Sequence, residues 1–155
     1  MNFLYLFLRV LIEAGGRYEL TTTDEKLLFT ALERIYRLPR EIRTLTNFAS
    51  IPLGERLHLW TQAAQFGHLF DNVEDTLAFS RFQTFNFDGW SEYPDVLEPL
   101  LFYVLQRASS EIERRENTAT FKVFVIDEAW IFLKNRTIRD WITRAEKHGA
   151  RRMRR

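Results

Sequence analysis

The stretch Phe121-Lys122-Val123-Phe124-Val125-Ile126-Asp127-Glu128 decides how this chain is read. Its first six residues are rich in β-branched and aromatic side chains, the composition of a strand. A near-continuous apolar run predicts burial on both faces, as in a parallel sheet. Upstream, Phe82 to Phe87 reads as a second strand that ends at the Asp88-Gly89 turn. Between them, from about Pro94, Leu97, Leu101, Val104, Ala108 and Ile112 recur at helical spacing. Proline is tolerated in a first helical turn, so Pro94 suits that start. Strand, 20-residue helix, strand predicts a βαβ unit with a right-handed crossover.

Ahead of this unit the pattern is helical. Residues 2–13 predict a buried helix stopped by Gly15-Gly16. The apolar start is too short to span a bilayer, Arg9 interrupts it, and it lacks the basic segment and cleavage site of a signal peptide. Thr22-Thr23-Asp24-Glu25 has the pattern of a capping box. Behind it Leu27, Leu28, Ala31, Leu32 and Ile35 predict a helix to about Leu38, where Pro39 ends the run. A further helix is predicted over Pro52 to Gln65, with Leu53, Leu57 and Trp60 on one face. His68-Leu69-Phe70 is short and ends at an Asp71-Asn72 turn signal.

Composition narrows the chemistry. In 155 residues, 46% apolar and 28% charged, there is room for one packed core of ordinary globular type. Fourteen Phe point to large flat contacts. The absence of Cys removes disulfides, thiolate catalysis and Cys-ligated zinc. His58, His68 and His148 form no helical pair, which argues against a two-His metal site and leaves a carboxylate site open. The net charge of +1 is unevenly spread. Residues 134–155 carry nine Lys/Arg and two acids, so the rest of the chain is acidic.

The chemistry-bearing residues are Asp127 and Glu128. An apolar strand that ends in two acids is the Walker B pattern, which sets carboxylates at the edge where ligands bind in open α/β sheets. Asp127 would hold a magnesium ion through water, and Glu128 would orient and deprotonate the attacking water in ATP hydrolysis. The motif alone is weak, because an acid after a strand often caps the next helix. Its partner motif, G-x-x-x-x-G-K-[ST], does not occur in these residues; Gly15-Gly16-Arg17 has neither the Lys nor the spacing. Asp71-Asn72 reads as a plain turn or as a loop near nucleotide. Trp130 reads as a packing residue on the helix after the motif, Arg81 as a solvated arginine and His68 as a packed loop histidine.

Taken in order, Arg43-Thr44-Leu45-Thr46-Asn47-Phe48, Leu59-Trp60-Thr61, Gly67-His68-Leu69-Phe70-Asp71-Asn72, Glu98-Pro99-Leu100-Leu101-Phe102-Tyr103 and Val125-Ile126-Asp127-Glu128-Ala129-Trp130 carry a resemblance. From about Leu11 to Leu133 the chain resembles the C-terminal ATPase domain of the conjugal-transfer and type IV secretion ATPases, the TrbE/CagE type. The resemblance implies a partial RecA-like P-loop NTPase core with a helical subdomain over 1–66 and the Walker B βαβ over 67–143. It also implies Mg-ATP as substrate, with Asp127 the magnesium-associated acid and Glu128 the catalytic one. It further implies a hexameric or other self-oligomer, partnership with secretion-channel subunits, and a cytoplasmic location at the bacterial inner membrane.

Two functional readings follow. One is a truncated piece of an ATP-hydrolysing motor, inactive as this isolated chain. The other is a non-catalytic module that binds channel or ATPase subunits. Residues 144–155 form a basic tail. The resemblance expects a Lys-Thr-Trp-Arg-Lys-Lys-Asn-Ala-like segment there, which a one-base shift of reading frame permits at Glu146–Met153. The rival reading of that tail is a contact with nucleic acid or anionic lipid.

Overall fold

The computed structural model describes residues 2–16, 18–49, 53–90, 92–114, 122–127, 130, 133 and 136–152. They form two compact units, residues 1–86 and 87–155.

In the first unit, helix α1 spans Asn2–Glu13 and helix α2 spans Thr22–Tyr36. Gly15 and Gly16 both have positive φ, 73° and 67°, so the chain reverses where a side chain would be strained. Thr21, one residue before the expected position, caps α2. Its hydroxyl accepts from the Asp24 N–H, and the Asp24 carboxylate accepts from the Thr21 N–H at 2.9 Å, a reciprocal capping box. Buried Leu28, Ala31, Leu32 and Ile35 turn toward the core, whereas Leu27 is exposed. Arg9, the charge in an apolar helix, pairs with Glu13 and Glu25 at 3.0 Å each and so ties α1 to α2. The other oxygen of Glu13 accepts the Leu20 N–H at 3.1 Å, which fixes the entry to α2.

Two short helices, α3 (Leu45–Phe48) and α4 (Gly67–Phe70), complete the unit with 3₁₀ segments at Arg40–Ile42 and Gly54–Trp60. The predicted helix over Pro52 to Gln65 is thus a shorter 3₁₀ segment, although Leu53, Leu57 and Trp60 are all buried as one face. Trp60 centres the core. Its ring packs on Phe66 and Phe70, and its indole N–H donates to the Leu11 carbonyl at 3.3 Å. Phe70 meets Phe7 edge-on, which joins α4 to α1.

In the second unit, helix α5 spans Pro94–Glu113 and helix α6 spans Arg136–Arg152. Of the predicted stripe, Leu97, Leu101, Val104 and Ala108 are buried, joined by Val96, Phe102 and Leu105, while Ile112 is half-buried. Ile138 and Trp141 bury the inner face of α6. This helix was not expected, because its sequence is dominated by charge.

The expected α/β class is overturned. Among the described residues there is no strand, and every regular element is helical. Residues 83–87 are not helical and pair with nothing in a ladder, and nearby Phe82 is 85% exposed. Residues 122–126 are likewise outside any sheet, with Val123 at 70% and Val125 at 79% exposure where burial on both faces was expected. The βαβ unit and small parallel sheet of a RecA-like core are therefore corrected to a helical fold. A strand exists only as one side of a hydrogen-bonded ladder. Local composition biases a segment toward extended backbone but supplies no partner, and the apolar run was mistaken for the whole requirement.

Candidate acidic site and the buried aspartate

The segment 122–127 is held at two points. The Lys122 ammonium donates to the Ile112 carbonyl, one of the last four carbonyls of α5, which lack a partner within the helix. Two residues on, Phe124 meets Trp141 of α6 edge-on, with ring centroids 6.4 Å apart. Val123 and Val125 point away from these contacts and are exposed. Asp127 follows at a turn, solvent-exposed. Glu128 lies outside the described residues, as does Phe121. Among the described residues no group of three or more His, Asp or Glu side chains gathers to hold a metal directly.

The remaining candidates separate. His68 is exposed on α4, Arg81 is exposed in a coil, and Trp130 is 65% exposed rather than packed. Asp71 is different. It is 1% exposed, and its carboxylate accepts from the Gln62 N–H at 2.9 Å, the Thr46 N–H at 3.2 Å and the Thr46 hydroxyl. Its own carbonyl accepts from the Gln62 side-chain amide at 3.4 Å. A buried carboxylate must be compensated by donors, and here three of them come from two separate segments. Asp71 thereby pins α3 and the turn after Trp60 to the end of α4. Sequence reasoning missed this role. Its partners stand 25 and 9 residues away, and nothing local in Phe70-Asp71-Asn72 distinguishes a buried hub from a solvated turn.

The α2 cap shifts the titration of its own groups. The Tyr18 hydroxyl, then the hydroxyl and N–H of Thr21, hold the Asp24 carboxyl below the usual aspartate range. This belongs to helix capping, remote in sequence from Asp127.

Comparison with known proteins supports the resemblance. The chain is 26% identical over 148 residues to the type IV secretion system protein VirB4 of Brucella abortus, covering 83% of this chain. The same figures hold for VirB4 of Brucella suis. It is 32% identical over 105 residues to the conjugal transfer protein TrbE of Rhizobium radiobacter, covering 64% of this chain. The matches span 17% of the length of the VirB4 proteins and 12% of TrbE, so the chain corresponds to one segment of far longer relatives. No protein-family profile and no solved structure matches it.

Proposed function

We propose that this chain, a segment similar to the VirB4 and TrbE proteins, derives from an ATP-hydrolysing motor of a type IV secretion or conjugative DNA transfer system. The similarity across 83% of its residues to a secretion-system protein carries the reading. Within it, Asp127 serves as the magnesium-associated acid and Glu128 as the acid that orients and deprotonates the attacking water. Exposure of Asp127 at a turn supports a role in holding a hydrated magnesium ion beside the triphosphate. The partners are further copies of the motor and subunits of the secretion channel, at the inner face of the bacterial membrane. No described helix is long and apolar enough to cross a membrane.

A segment exchange tests this. The matched part of the Rhizobium radiobacter transfer protein is replaced by the corresponding residues of this chain, in a strain that lacks the original. Transfer is expected to persist and to fall at least about 100-fold with Glu128→Gln or Asp127→Asn, the scale of losing a catalytic acid. A chimera that transfers equally well with Glu128→Gln would remove the catalytic reading and leave the segment as an interaction module.

A further inference from the structure

We propose that helix α6, Arg136–Arg152, is a contact surface for double-stranded DNA, held through phosphates and without sequence preference. This inference does not rest on the motor reading. It begins from the uses the chain makes of its arginines. Arg9 pairs with Glu13 and Glu25, and Arg114 with Glu111. Arg43 donates to the Leu38 and Tyr36 carbonyls, and Arg56 lies over the Tyr18 ring. These four tie parts of the fold together. Arg136 and Arg139 differ. Both are exposed, and among the described residues neither forms an ion pair with a carboxylate.

Helix α6 is fixed by one side. Thr137, Ile138 and Trp141 are buried, and Phe124 meets the Trp141 ring edge-on. At 3.6 residues per turn these three helix positions share one side. Arg136, Arg139 and Arg144 are exposed on the remainder. Lys147 and Arg151 stand eleven and fifteen residues after Arg136, so the register returns them close to its line after about three and about four turns. In sequence α6 holds six Arg/Lys against two acids, Asp140 and Glu146, a net of +4 over about 25 Å of helix. Residues 1–133 are net acidic, so the positive field is concentrated at this end of the chain.

Three properties select the partner. Five of the six basic residues are arginine, whose planar guanidinium grips phosphate through paired N–H donors. The apolar side of α6 is turned into its own unit, which leaves no apolar side of this helix to sink into a bilayer. Trp141, the one Phe, Tyr or Trp of α6, is buried and offers no platform on which the bases of a single strand could stack. What remains is a cylinder with cations along its outer side. The major groove of B-form DNA admits a helix, whereas that of A-form RNA is too narrow. Phosphate contacts carry no sequence information, so unrelated duplexes should bind alike.

Fluorescence anisotropy of the full chain with two labelled DNA duplexes of unrelated sequence tests this. Both should bind with equal affinity. With about four phosphates neutralised, that affinity should fall about 150-fold between about 50 and 200 mM salt. Arg136→Gln with Arg139→Gln should weaken binding and lower the steepness of its salt dependence by about two contacts, while Arg136→Lys with Arg139→Lys should retain both. Arg34→Gln with Arg37→Gln removes the same charge from exposed positions of the first unit and should leave binding unchanged. Equal weakening by the two Gln pairs would place the contact elsewhere and overturn the proposal. So would absence of binding at the lower salt, tighter binding to a single strand or to duplex RNA, or capture by phosphatidylglycerol vesicles without binding to DNA.

Discussion

Replacement of Gly67 by Ala should strongly destabilise the first unit through one misplaced methyl group. A Cβ built at Gly67 lies 1.9 Å from the Thr61 carbonyl oxygen, 2.5 Å from its carbon and 2.7 Å from the Gln62 Cα. All three are backbone atoms, so no side chain can swing away. Reaching ordinary contact at 3.4 Å requires α4 and residues 61–62 to part by about 1.5 Å. The Gln62 N–H then moves from 2.9 Å to beyond hydrogen-bond reach of Asp71. Overpacking costs about 1–3 kcal/mol and loss of a hydrogen bond to a buried charge a further 1.5–3. Together they amount to about 2.5–6 kcal/mol, a large share of a typical domain's 5–15. For a unit of this size that lowers Tm by more than about 10 °C. Urea and thermal titrations followed by far-UV circular dichroism measure it, with Gly16→Ala as the control. At Gly16 the added methyl meets nothing within 4 Å, but φ is +67°, so strain alone applies, about 1–2 kcal/mol. If Gly67→Ala costs no more than Gly16→Ala, the steric argument and the α4 packing it assumes are wrong.

Asp71→Asn should destabilise the first unit by about 1.5–3 kcal/mol in urea titration, because the three donors lose the carboxylate charge on which they converge and an amide NH2 then faces the Thr46 N–H. Removing the α2 cap with Thr21→Ala should cost about 1 kcal/mol in the same assay. The Asp24 carboxyl is held low in the folded chain, so its stabilisation is present above the unfolded value near pH 4 and is lost as pH falls through the lower folded value. A plot of Tm against pH should therefore show the gap between wild type and Asp24→Asn closing in acid, and a gap that widens there would contradict the assignment. The purified 155-residue chain should hydrolyse no ATP above background, since phosphoryl transfer relies on a phosphate cradle and these residues contain no G-x-x-x-x-G-K-[ST] motif. Turnover that Glu128→Gln abolishes would refute this.

The sequence by itself determined the elements whose cause is local. Periodic apolar residues located α1, α2 and α5, because a helix closes its hydrogen bonds within its own segment. The glycine pair after α1 and the proline that opens α5 are conformational signals of single residues. Order and spacing of short motifs carried the family resemblance, which needs no coordinates. Whether Phe121–Ile126 is a strand could not be settled that way, because a ladder partner is a property of distant backbone. The structure instead holds residues 122–124 by the Ile112 carbonyl and the Trp141 ring. Asp71 was equally illegible. It looks like any turn aspartate until Thr46 and Gln62 converge on it, and only packing decides that a carboxylate is buried and which donors compensate it. Charge patterning failed at α6 for the same reason. The basic composition of 144–155 suggested a tail rather than the end of a helix, whereas α6 runs to Arg152 and buries Ile138 and Trp141.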